Sequence, residues 1–146
     1  MPVNDDSDTL LIFACKANRG PGSNRHSAKG DFIDEVMKNK ADINLTNRFG
    51  ETALMHACAK DFDMMENVQI QLLEQGALVS AADRNGDTAL HYAARNDDKK
   101  GAYSLCDMLL EFGADAKAVN NAGKTALDIA TETDNEPLAK LLISKM

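Results

Sequence analysis

What this sequence is short of narrows its chemistry before any motif is read. It has no apolar run long enough to span a bilayer. LLIFAC, Leu10 to Cys15, is too short for a membrane helix or a cleaved signal, and Asp5, Asp6 and Asp8 stand where a signal peptide needs positive charge. The cytoplasm is the expected compartment, with no membrane partner. Cysteine is scarce: Cys15, Cys58 and Cys106 are odd in number, far apart and set in apolar helical patterns, which excludes a disulfide framework and suits reduced thiols packed as small hydrophobes. Basic residues are outnumbered 16 to 23, leaving a formal charge of -7. That balance opposes binding to nucleic acid, where positive charge supplies most of the affinity. Metal-ligand spacings such as His-x-x-x-His or Cys-x-x-Cys are missing, and GPGSN lacks the Lys-Ser/Thr that completes a phosphate loop. No metal or cofactor is expected.

What is present is repetition. The 146 residues are enough for one domain, 1–146, and with 44% hydrophobic and 27% charged residues it can bury a core. GETALMHAC at 50–58, GDTALHYAA at 86–94 and GKTALDIAT at 123–131 share one frame, and SDTLLIFAC from Ser7 is a weaker fourth copy. Their threonines, Thr9, Thr52, Thr88 and Thr125, are 43, 36 and 37 residues apart. After each frame comes a polar stretch and then a second apolar segment: FIDEVM from Phe32, VQIQLL from Val68, LCDMLL from Leu105 and LAKLLI from Leu138. Apolar residues recur there at three- and four-residue steps, and Gly76 and Gly113 sit where a helix C-terminal glycine belongs, so each unit is expected to be a helical pair.

Thr88 to Ala93, TALHYA, resembles the ankyrin signature Thr-Pro-Leu-His-x-Ala. EFGAD at 111–115 and NKADIN at 39–44 resemble that family's turn after the second helix, and DRNG at 83–86 its hairpin tip. The resemblance covers nearly the whole chain. It implies an all-α repeat solenoid of helix-turn-helix pairs joined by short β-hairpin-like fingers, with repeats near 4–43, 47–79, 83–116 and 120–146, the first and last acting as caps. Against a family repeat of about 33 residues, the spacings imply insertions of roughly 10, 3 and 4 residues, each expected to lengthen the loop between paired helices. Alanine replaces the family's proline at Ala53, Ala89 and Ala126, so slight fraying of helix starts is expected.

Stacking of the pairs predicts a core of Leu11, Ala14, Leu54, Ala57, Leu90, Ala93, Leu127 and Ala130 from the first helices, with Val36, Leu72, Leu73, Leu109, Leu110, Leu141 and Leu142 from the second. In the ankyrin family, fingers and first helices form a concave groove that holds a partner protein. By position the resemblance implies contacts at Arg48, Phe49, Glu51, Lys60, Arg84, Asn85, Asp87, Arg95, Asn96, Asn121, Ala122 and Lys124. Phe49 either anchors a partner or lies against the neighbouring finger. The loop Asn18 to Gly30 carries Arg19, Arg25, His26 and Lys29 without an acid, and is either a secondary contact for an acidic partner or a solvated loop.

The function expected is a protein-interaction module, adaptor or regulator, acting as a monomer on another protein. An effector delivered by a microbe into a host cell is equally compatible with this reading. A small-molecule or metal-binding enzyme with a novel site is disfavoured: His56 and Cys58, two residues apart on a helix, point about 200° from one another.

Overall fold

The computed structural model describes residue 12, residues 43–59 and residues 62–146. The expected first repeat up to residue 42, its insertion at 18–30, and core positions Leu11, Ala14 and Val36 lie outside the described residues, apart from Ile12, which is buried. Six helices follow in three pairs: α1 Ala53–Cys58 with α2 Phe62–Glu74, α3 Ala89–Ala94 with α4 Lys99–Glu111, and α5 Ala126–Glu132 with α6 Glu136–Lys145.

Each pair begins at the repeated threonine. Thr52, Thr88 and Thr125 hold extended backbone one residue before their helices, and the residue three places on accepts from the threonine N–H: Met55 Sδ at 3.4 Å, His91 Nδ1 at 3.1 Å and Asp128 Oδ2 at 2.9 Å. These bonds satisfy a donor that a helix start otherwise leaves open. The starts are therefore held without proline, and Ala53, Ala89 and Ala126 are buried rather than frayed.

The extra residues of the second and third repeats do not become loop. The links 95–98 and 133–135 are short, whereas α2 and α4 run 13 residues and α6 runs 10. α4 starts six residues ahead of Leu105 and α2 six ahead of Val68, but α6 starts only two ahead of Leu138. The additions enter as roughly one more turn at the start of the second helix. In α4 this turn is capped by Asp98, which accepts from Lys100 N, and it buries Gly101 and Ala102. Burial and capping make helix the cheaper way to accommodate those residues.

Two rows of helices result, α1, α3 and α5 in one and α2, α4 and α6 in the other, each helix packed on its neighbour in the row and on its own partner. The core between them holds Leu54, Ala57, Leu72, Leu73, Leu90, Ala93, Leu109, Ala130 and Leu142 as the repeat frame predicts. Leu105, Ile129 and Leu138 belong to it too. Leu110, Leu127 and Leu141 are only partly buried. At its frame position Leu127 matches Leu54 and Leu90, which are 1% exposed; those two lie on helices packed against the next first helix, α3 or α5.

Polar side chains tie the short links across repeats. Asn96 donates to Cys58 O at 3.4 Å, and Asn135 donates to Lys99 O at 3.1 Å while capping α6. Gln69, fully buried, donates to Ala57 O at 2.7 Å.

Candidate functional site

The fingers between pairs are built by one side chain each. Asn47, Asp83 and Asn120 each accept from the backbone N–H two and four residues on, folding the chain into a tight turn closed by a backbone bond from the glycine, Gly50, Gly86 or Gly123. Successive fingers then join edge to edge. Arg84 N donates to Phe49 O at 3.0 Å, and Asn121 N donates to Asn85 O at 2.9 Å. Asn121 adds a side-chain bond to Arg84 O at 2.8 Å. A continuous wall stands beside the first helices, and the corner between wall and helices is the groove.

Below the wall runs a polar network. Asp87 accepts both arms of Arg95, at 2.7 and 3.0 Å, and the Asn120 amide at 2.8 Å. Burial alone would raise the Asp87 pKa, but the bonds from Arg95 and Asn120, with the Arg95 charge, hold it below the usual carboxylate range. Towards the second repeat, the Tyr92 hydroxyl lies 2.5 Å from Asp83 Oδ2 and 3.3 Å from Glu51 Oε2. Burial first, then those two carboxylates, push the Tyr92 phenol well above its ordinary value, so it keeps its proton. Glu51 Oε1 accepts from Asn47 at 2.8 Å and is 3.4 Å from His56 Nε2.

Between the second and third repeats the groove deepens into a cleft of about 480 Å³, lined by Phe49, Glu51, Asp83, Arg84, Asn85 and Tyr92. Of the residues expected to contact a partner, Phe49, Glu51, Arg84 and Asn85 meet here. Phe49 is 40% exposed, with the Arg48 guanidinium 4.8 Å from its ring centroid. Asn121, Ala122 and Arg95 are exposed further along, and Lys124 is half-buried with its ammonium on Glu132 at 2.6 Å. Asp87 and Asn96 are buried, and their polar atoms are committed within the molecule. Lys60 and the basic loop residues Arg19, Arg25, His26 and Lys29 lie outside the described residues.

Tyr92 and Asp83 are the groove residues that sequence reasoning passed over. The signal for Tyr92 was available: an aromatic right after the buried His91, at a position the repeat frame leaves variable. His56 and Cys58 turn apart, one towards Glu51 and the other fully into the core. Burial pushes the Cys106 thiol up to about 12. Among the described residues no group of three His, Cys, Asp or Glu side chains is placed to hold a metal ion, and no helix is long and apolar enough to cross a membrane.

Comparison with known proteins agrees with this geometry. A family model for ankyrin repeats in three copies matches residues 24–120, and one for ankyrin repeats in many copies matches residues 99–143. An ankyrin repeat protein of Acanthamoeba polyphaga mimivirus is 45% identical over 71 residues, 49% of this chain and 16% of that protein. An E3 ubiquitin-protein ligase of Arabidopsis thaliana is 40% identical over 72 residues, 48% of this chain and 14% of the ligase. The mouse ankyrin repeat and SOCS box protein 6 is 34% identical over 68 residues, 47% of this chain and 16% of its own length. The chain thus matches only a small part of each of these relatives. With stacked helix pairs, edge-joined fingers and a family match over most of its length, the chain belongs to the ankyrin-repeat family.

Proposed function

We propose that this chain is a non-enzymatic binding module, an adaptor or regulator that holds a partner protein in the groove between its fingers and first helices. Ankyrin repeats generally mediate protein–protein interaction. The observation that carries the reading here is the cleft between the second and third repeats. There Phe49 keeps 40% of its surface open beside polar groups that the scaffold has already oriented. A part-exposed aromatic above a fixed polar floor has the composition of an interface anchor. Three relatives bear ubiquitin-ligase or SOCS-box names, but the shared segment is at most 16% of any of them. What passes to this chain is the repeat surface and not those activities. The chain acts as a monomer in the cytoplasm, as one stack over 1–146.

Affinity capture with the full chain tests this. An Arg48→Glu, Phe49→Ala double variant should lose its partner by roughly tenfold or more in affinity. Its melting temperature should hold, since surface changes of this kind usually cost about 0.5 kcal/mol or less. If the double variant retains the same partners at the same affinity, the groove is not the binding face.

A further inference from the structure

The floor of the cleft holds three oxygens and one proton. Tyr92 Oη has a single hydrogen yet lies within reach of two carboxylates, and the 2.5 Å contact assigns that hydrogen to Asp83 Oδ2. Asp83 Oδ1 is already taken by the N–H groups of Asn85 and Asp87. Glu51 Oε1 is taken by Asn47 and lies 3.4 Å from His56 Nε2. Glu51 Oε2 has only the longer 3.3 Å contact with the same phenol, whose hydrogen is committed to Asp83. Burial first, and then the negative charge of both carboxylates, holds the Tyr92 proton firmly.

We infer that the occupant of this cleft is an arginine side chain of the partner protein. The inference rests on the groove-binding reading above and names the chemistry that reading leaves open. Charge complementarity selects it. Two carboxylates surround one neutral phenol at the floor, so a cation with several N–H donors supplies both the missing hydrogen bond and the missing charge. The walls are the rings of Phe49 and Tyr92, surfaces on which a planar, weakly hydrated guanidinium stacks better than an ammonium. Phe49 already carries the Arg48 guanidinium on its ring, an internal example of the same contact. Arg84 stands exposed at the rim and makes no ion pair with a carboxylate among the described residues, so it does not neutralise the floor. It favours an acidic or neutral residue beside the partner's arginine.

Selection of a random-peptide display library on the immobilised full chain, followed by calorimetry of the selected peptides, tests this. The expected result is peptides that share an arginine, bind in a Phe49-dependent manner, and weaken roughly tenfold or more when that arginine is replaced by citrulline, which keeps the shape and removes the charge. Glu51→Gln keeps an acceptor for Asn47 and should erase the arginine–citrulline difference. Unchanged melting would show that this variant is folded. Peptides that need Phe49 but show no arginine, or bind equally as citrulline, overturn the cationic occupant and leave the groove reading standing. If no peptide is selected, or binding ignores Phe49→Ala, both readings fall.

Discussion

One frame position, three residues after the threonine, is filled by Met55, His91 and Asp128, and the three differ in what they do besides capping. His91 is fully buried. Its Nδ1 receives the Thr88 N–H, so Nδ1 is the acceptor and the ring's proton sits on Nε2, which donates to Lys124 O at 3.0 Å in the next finger. Methionine can accept at the cap but has nothing to donate across the repeat. His91→Met should therefore keep the helix start and lose the bridge, while His91→Ala loses the bridge and also orphans the Thr88 donor; the Lys124 carbonyl keeps the Asn120 N–H in both. The lost bridge costs about 0.5–1.5 kcal/mol and the orphaned donor about 1–3 kcal/mol more, so urea titration should rank wild type above His91→Met above His91→Ala. Asp87 yields a pH signature. Its pKa is held below the ordinary 3.8, so its stabilising effect is complete above that value and is lost as pH falls through the lower folded one. Asp87→Asn should be less stable at neutral pH, and the gap to wild type should close in strong acid, as thermal melting across pH would show. The histidine position was legible from the motif, but its reach to Lys124 was not, because the partner is a backbone atom 33 residues away.

Among the elements, helix pairs were readable from periodicity and fingers from their Asp/Asn and Gly residues. Where the insertions went was not. A polar stretch such as Arg95 to Gly101 reads as loop, yet its second half is helix because Asp98 caps it and Gly101 and Ala102 find buried places against neighbours. The fingers carry a sharper contrast. Gly86 and Gly123 share a positive φ of 77°, but a Cβ on Gly86 would stand 2.7 Å from Asn121 Oδ1 and 2.9 Å from its backbone N, whereas one on Gly123 meets nothing. Gly123→Ala should cost only the backbone strain, about 1–2 kcal/mol. Gly86→Ala should cost clearly more, because the next finger must move and the Asn121 to Asn85 bond is strained. Chemical denaturation of the two variants checks the order. Equal costs would mean that edge-joining of fingers contributes little.

For the whole molecule, stability is shared between neighbours, so the same residue in the same frame is worth different amounts along the stack. Leu90 lies between helix pairs and is 1% exposed, and Leu90→Ala should cost about 2–5 kcal/mol. Leu127, its frame equivalent, is only partly buried, and Leu127→Ala should cost roughly half of that or less. Denaturant midpoints for both variants would show it. The sequence by itself determined the repeat, the pairing of helices, the row of small and branched residues that packs them, and the finger turns, because each depends on spacings within about forty residues that a single unit carries. It also placed Phe49, Arg84 and Asn85 on the groove. Only the tertiary structure decided which polar residues remain available there. Asp87 and Asn96 are spent on neighbours, while Glu51, Asp83 and Tyr92 converge on too few protons. That outcome depends on distances between side chains from different repeats, which stacking sets and no local pattern encodes.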